Sequence, residues 1–336
     1  MLISGRGMCP GLSLVTLCVI TVGLGILYGW TTAARAGDSM TATHFRAEVG
    51  AQEPRKTILL DGIPITYTDT GGPGPVLICL HAIGHGARDF QDLSRRLSPQ
   101  YRVIAIDFPG QGNSGADSQP ASGTRYTQLL TLFIDKLDLH SITLLGNSIG
   151  GAVSVRYAGL HPERVTALVL CDSGALSPPP DEATKAYMEK YVQLFASGAR
   201  GDPSYAAAFE QYYRTVLIEE PAHAERDRIV RSAYEIAPIL VEAWKSFGRP
   251  EESLWAVVPQ IRCPVLLAWA KDDAVIPLAF SAPNFVRFPD HQLEVFAGGH
   301  AAFLEDPDRF EAKLRTFLAT AYRLHVGAQQ SETSGR

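Results

Sequence analysis

Ile142-Thr143-Leu144-Leu145-Gly146-Asn147-Ser148-Ile149-Gly150-Gly151-Ala152-Val153 decides how this chain folds. Residues 142–145 form an apolar run too short for a globular helix, so they read as a buried strand. Residues 150–153 are small or apolar and open a helix. Between the two lies a serine with a glycine two positions to either side, the G-x-S-x-G spacing. It suits a sharp strand-to-helix turn that holds the serine in a strained, exposed position. By composition alone the pattern arises about 0.1 times in a chain of this length. Its setting between strand and helix gives it weight, and an ordinary turn serine fits that setting poorly.

The same rhythm extends in both directions. Residues 57–60 and 63–68 are β-rich and separated by Asp61-Gly62, a hairpin signal. Short apolar runs follow at 76–80, 103–106 and 165–171, and again at 265–269 and 293–296. Helical faces alternate with them: Phe90, Leu93 and Leu97, then Leu130, Phe133 and Leu137. Such alternation predicts an α/β fold, a mostly parallel sheet flanked by helices. A closing helix carries Asp306 as a capping candidate, Pro307 in its first turn, and Phe310, Leu314, Phe317 and Leu318 on one stripe. Between about 175 and 259 the alternation breaks, and Pro178-Pro179-Pro180 opens a segment that reads as helices throughout, a helical lid inserted into the core. The expected organisation is residues 56–174 and 260–322 as core, 175–259 as lid, 37–55 as a polar linker and 323–336 as a disordered polar tail.

Bulk properties exclude several classes. Of 336 residues, 46% are apolar and 19% charged, with a net charge of −5 and interspersed signs. No basic face suggests nucleic acid. The amino terminus stands apart. Residues 12–28 are a 17-residue apolar stretch preceded by Arg6, and Ala34-Arg35-Ala36 fits the A-x-A cleavage pattern. Residues 1–36 therefore read as a signal peptide or a membrane anchor, with the remaining chain exported. The alternative is a soluble cytoplasmic protein starting at Met40. Cys79, Cys171 and Cys263 sit in or beside strand-like runs, and their spacing suits neither a disulfide framework nor zinc.

A serine nucleophile needs a base. Gly298-Gly299-His300 follows the last apolar strand, at the sheet edge where open α/β folds build sites, so His300 is the candidate. The acid that orients it should follow another strand, and the residues leave Asp272, Asp273 and Asp172 open. The chain resembles the lid-bearing α/β-hydrolases, a superfamily of esterases, C–C bond hydrolases, haloperoxidase-like enzymes, epoxide hydrolases and haloalkane dehalogenases. The resemblance covers residues 57–322. Asp107-Phe108-Pro109-Gly110-Gln111-Gly112-Asn113-Ser114 is similar to the family's D-x-P-G-x-G-x-S turn, a structural feature. Residues 270–277 are similar to its G-x-x-D-x-x-x-P acid motif, with Ala270 in place of glycine, and this selects Asp273. Some members draw the acid from the position of Asp172, which stays as the alternative. Serine at the elbow implies acyl chemistry, since the epoxide and haloalkane branches use aspartate there.

The family also needs oxyanion donors. One is the N–H of Ile149, directly after the nucleophile. The other follows from the loop His81-Ala82-Ile83-Gly84-His85-Gly86, similar to an H-G-x loop, and is assigned to Ile83. Gly84 and Gly86 leave this loop pliable. His85 and Arg88 could contact substrate, but loop residues of this kind more often face solvent, and that is the reading taken. Lid aromatics Tyr187, Tyr191, Phe195, Trp244 and Phe247 read mostly as lid core. The expected activity is acyl transfer from a small to medium apolar ester or lactone, with no metal, nucleotide or redox cofactor. Cleavage of a C–C bond beside a carbonyl is the alternative, suggested by Asn147 and weakened by the loop at 81–86. Cofactor-free perhydrolysis is a third enzymatic reading, and a non-catalytic receptor on the same fold is the reading from another class.

Overall fold

The apolar runs become strands of one sheet in the computed structural model, which describes residues 54–334, with side chains to residue 324. β1 (Lys56–Leu60) and β2 (Ile63–Asp69) pair antiparallel around Asp61 and Gly62, whose φ values of 48° and 80° give the turn that a hairpin's twist favours. β3 (Val76–Leu80), β4 (Arg102–Ile106), β5 (Ile142–Asn147), β6 (Val165–Cys171), β7 (Val265–Ala270) and β8 (His291–Phe296) complete the sheet in the order β1-β2-β4-β3-β5-β6-β7-β8. β2 meets β4 antiparallel; every later pairing is parallel. Every residue of β5, β6 and β7 is buried, because helices cover both faces and leave no polar side to alternate with.

The helices take the places their apolar faces predict. α1 (Gln91–Leu97) buries Leu93 and Leu97, with Phe90 just ahead of it, and α2 (Gly123–Lys136) buries Leu130 and Phe133. α3 (Ile149–Leu160) follows β5 directly. After β6 the chain builds a cap of α4 (Glu182–Ala199), α5 (Tyr205–Val216), α6 (His223–Arg231) and α7 (Ala233–Phe247). The cap has its own aromatic core: Tyr191 stacks on Trp244 at 4.3 Å, and Phe209 lies 4.7 Å from Tyr213. Contacts of this kind add about 0.5–1.5 kcal/mol each beyond the area they bury. α8 (Leu278–Phe285) and α9 (Ala302–Glu305) lead to α10 (Pro307–Ser334), which buries Phe310, Leu314, Phe317 and Leu318.

One expectation needs revision, and two fall on residues outside those the structure describes. The tail expected to be disordered from residue 323 continues as helix to Ser334. Ala328, Gln329, Gln330 and Glu332 are good helix formers, and a helix already nucleated on the core extends through them at little cost. The expected signal or anchor at 1–36, and the linker as far as residue 53, lie outside the described residues. Among the described residues no helix is long and apolar enough to cross a membrane.

A parallel sheet sends all its following loops to one edge. Here that edge gathers the loops beginning at His81, Asp107, Ser148 and Asp172, and those holding Asp273 and His300.

Candidate active site

Ser148 occupies the single residue between β5 and α3, at φ 55° and ψ −117°, a conformation side-chain-bearing residues avoid. Holding it there costs on the order of 1–3 kcal/mol. The surroundings supply the restraint: its N–H donates to the Cys171 carbonyl at 3.0 Å, and its carbonyl accepts from Gly151 at 3.0 Å and Gly174 at 3.1 Å. A Cβ at Gly150 would collide with the Leu80 carbonyl, so glycine alone lets α3 start this close to β3.

His300 lies in the loop after β8, buried, with its Nδ1 2.9 Å from Asp273 Oδ2. An ionised carboxylate accepts only, so Nδ1 carries the proton and Nε2 keeps its lone pair. Asp273 is buried at the turn after β7, and its other oxygen accepts the N–H groups of Val275 at 2.7 Å and Ile276 at 3.0 Å. The backbone of His300 is tied to the end of β5, because Asn147 Nδ2 donates to the His300 carbonyl at 2.8 Å and to the Cys171 carbonyl at 3.1 Å. The Ser148 hydroxyl has no hydrogen-bond partner among the described residues. Nucleophile–base contacts commonly close only when substrate is bound.

Of the three acids, the structure brings Asp273 alone to the imidazole. Asp172 is fully buried one residue beyond β6, and its Oδ1 accepts the Ala270 N–H at 2.8 Å, a bond that ties β6 to β7. Burial, then the neighbouring Asp273 charge, push its carboxyl well above the usual range. Asp272 is exposed and pairs with Lys271 at 3.6 Å.

Sequence reasoning missed Glu305. Its Oε1 accepts from Gly299 at 2.8 Å, His300 at 3.1 Å and Ala301 at 3.3 Å, while Oε2 accepts from Ile218 at 2.6 Å and Glu219 at 3.0 Å in the cap. One carboxylate thus fixes the histidine loop and joins it to the cap. Its only signal in the sequence is an acid five residues after His300, which looks the same as any polar residue opening a helix.

The loop after β3 is a constrained turn rather than a pliable one. His85 N–H donates to the Ala82 carbonyl at 3.2 Å, and Gly84, at φ 82°, fills the position of a type II turn that demands positive φ. Gly84 N–H donates to Gln111 Oε1 at 2.6 Å. His81 is locked as a neutral ring, with Nδ1 2.6 Å from the Ala82 carbonyl and Nε2 accepting the Phe108 N–H at 2.9 Å; burial lowers its pKa to about 4. The N–H of Ile83 and the N–H of Ile149 meet no protein acceptor among the described residues. His85, expected to face solvent, is buried, because cap helices α5 and α6 roof this loop; Arg88 keeps about half its side chain exposed. Asp107 accepts from Ala87 at 2.7 Å and Asn113 at 3.0 Å, which makes its glycine-rich turn a structural brace.

The cap meets the site through aromatic and aliphatic groups. Tyr187 donates to the Ala274 carbonyl at 3.4 Å beside Asp273, and Ile236, Leu240 and the Tyr213 hydroxyl crowd the space next to Gly84. Phe195 and Trp244 are buried within the cap. Among the described residues no group of three His, Cys, Asp or Glu side chains could hold a metal ion.

Comparison with known proteins matches residues 75–307 to the family described as the alpha/beta hydrolase fold. The chain is 27% identical over 265 residues to a 2-hydroxy-6-oxononadienedioate/2-hydroxy-6-oxononatrienedioate hydrolase of a Pseudomonas species, covering 76% of this chain and 92% of that protein. It is 28% identical over 275 residues to a 2-hydroxy-6-oxo-6-phenylhexa-2,4-dienoate hydrolase of Comamonas testosteroni, covering 76% and 91%. The solved esterase of Exiguobacterium antarcticum superposes with a TM-score of 0.67 at 24% identity, covering 78% of this chain and 98% of that one, a likeness of fold.

Proposed function

The chain belongs to the α/β-hydrolase family, and from that premise we propose that it hydrolyses a carboxylic ester or lactone of a small to medium apolar substrate through an acyl-serine. Ser148 Oγ attacks the carbonyl carbon while its proton passes to His300 Nε2. Asp273 holds the ring in the required tautomer and stabilises the imidazolium. The oxyanion is received by the N–H groups of Ile83 and Ile149. The carbon–oxygen bond breaks as His300 returns the proton to the leaving oxygen, and water activated by the same ring releases the acid.

The observation that carries this reading is the 2.9 Å bond between His300 and Asp273 in a loop whose carbonyl is held by Asn147, the residue before Ser148. A second reading, hydrolysis of a C–C bond beside a carbonyl, is favoured by the named activities of the two relatives above. It uses the same nucleophile but adds a demand, since a carbon leaving group must be protonated at carbon.

Two assays separate the readings: release of p-nitrophenol from acetate and butyrate esters, and loss of the dienol absorbance of 2-hydroxy-6-oxo-6-phenylhexa-2,4-dienoate. Turnover of the esters by wild type and its loss in Ser148→Ala are expected, with Ser148 labelled by a fluorophosphonate. Equal ester rates in both proteins would end the ester reading. Dienoate turnover with inert esters would put the C–C reading in its place.

A further inference from the structure

A second buried histidine–aspartate couple stands beside the first. His85 Nδ1 lies 2.6 Å from Asp89 Oδ2, both side chains almost wholly removed from solvent, and neither takes part in the chemistry above. Asp89 lies in the single 3₁₀ turn Ala87–Phe90 that follows the oxyanion loop. Across from it α6 presents Glu225 and Arg228, whose Nε donates to Glu225 Oε1 at 2.6 Å. Arg228 Nη2 pairs with Glu225 Oε1 and faces Asp89 Oδ1 at 3.9 Å, and the Glu225 carboxyl hydrogen-bonds to that of Asp89. Arg88 approaches Glu225 at 3.8 Å, and the Tyr213 ring of α5 lies 5.9 Å from that of His85. Polar groups buried at such density normally hold something in place.

What they hold is the turn. His85 is its last residue, and its N–H closes the turn on Ala82. The two residues between are Ile83 and Gly84, so the direction of the Ile83 N–H depends on where His85 is anchored. Gln111 Oε1 holds the Gly84 N–H at 2.6 Å. We propose that His85 and Asp89 are positioning residues for the Ile83 N–H, and that Glu225 and Arg228 link them to the cap, so that the oxyanion loop keeps its geometry only with α6 seated. The inference rests on the reading of Ile83 as an oxyanion donor. Its physical basis is that a donor works only if aimed beforehand at the charge that develops, and a misplacement of about 1 Å can cost on the order of 100-fold.

The neighbours are consistent with this role. Burial lowers the His85 pKa to about 3, so the ring stays neutral and donates from Nδ1; burial raises Asp89 to about 6 and Glu225 to about 7. The bond is therefore a neutral-ring donor to a carboxylate at neutral pH, suited to holding a position and unsuited to accepting a proton from a nucleophile.

The test uses the purified full-length chain and p-nitrophenyl butyrate, with sites counted by fluorophosphonate labelling. His85→Ala, Asp89→Ala and Arg228→Gln are compared with His85→Asn, which restores a donor near the place of Nδ1. The first two are expected to lower kcat per labelled site about 10- to 100-fold with KM within about twofold, because the donor acts on the transition state. His85→Asn should return kcat to within about threefold of wild type. Arg228→Gln should fall between. Loss of labelled sites at unchanged kcat per site would mean a structural role alone and would overturn the proposal. Amide hydrogen exchange of residues 81–86 keeps the two proposals apart. Faster exchange in the alanine variants is expected whether or not the chain cleaves esters, and unchanged exchange refutes the positioning role even if esterase activity is intact.

Discussion

The His300–Asp273 and His85–Asp89 couples share a design: a buried ring joined through Nδ1 to a buried carboxylate, at 2.9 Å and 2.6 Å. They differ in what meets the carboxylate's other oxygen. Asp273 Oδ1 accepts two backbone N–H groups, from Val275 and Ile276. Asp89 Oδ1 meets no backbone donor; beside it lie the Glu225 carboxyl, which hydrogen-bonds to Asp89, and a guanidinium at 3.9 Å. Backbone donors hold the Asp273 carboxylate in place. Without backbone donors, burial dominates at Asp89 and raises its pKa to about 6, while burial of the ring itself lowers His85 to about 3. A histidine beside an aspartate is thus no sufficient sign of a base.

The contrast is broken most directly by matched substitutions. Asp273→Asn should lower kcat on the ester about 10³- to 10⁴-fold, because the amide permits the wrong tautomer. Asp89→Asn keeps an acceptor for a ring that stays neutral throughout, so kcat should change less than about fivefold. Comparable losses in the two variants would erase the distinction.

Glu305→Gln tests the frame around His300. The amide keeps one accepting oxygen but carries no charge and turns an NH2 group toward the other N–H donors. A loss of about 1.5–3 kcal/mol in urea unfolding is expected, since bonds to charged groups are worth that much. A shift below about 0.5 kcal/mol would show that the loop and cap hold without it.

The smallest effect is on pH dependence. In the folded chain Asp89 and Glu225 keep their protons up to about pH 6 and about pH 7, whereas unfolded carboxyls lose theirs near about pH 4. In that window the folded chain binds more protons than the unfolded one. The contribution of these groups is full below about pH 4 and is lost as pH rises through about 7. Asp89→Asn should flatten this part of the curve by on the order of 1–2 kcal/mol between pH 5 and 7.5, read from urea midpoints. Identical slopes in wild type and variant would place the titration elsewhere.

Much of this site was legible beforehand because its signals are local. Strand run, serine and glycine pair are contiguous from 142 to 153, and the elbow they form depends on backbone sterics within that stretch. His300 was legible from its place after the last strand, since parallel strands deliver their loops to one edge whatever the side chains. The acid was not settled by residues alone; Asp172, Asp272 and Asp273 all follow strands, and the family motif was needed to choose.

Chain chemistry by itself therefore determined the sheet, the elbow and the edge where reactive groups collect, because period, run length and turn residues act over a few positions. Tertiary structure alone decided that Asp273 meets His300, that Glu305 and Asn147 brace the histidine loop, and that His85 is buried under the cap. Apart from the bonds of Glu305 to the histidine loop, which span four to six positions, those outcomes join residues tens to more than a hundred positions apart. Their burial, and with it their charge, is set by what the completed fold packs against them.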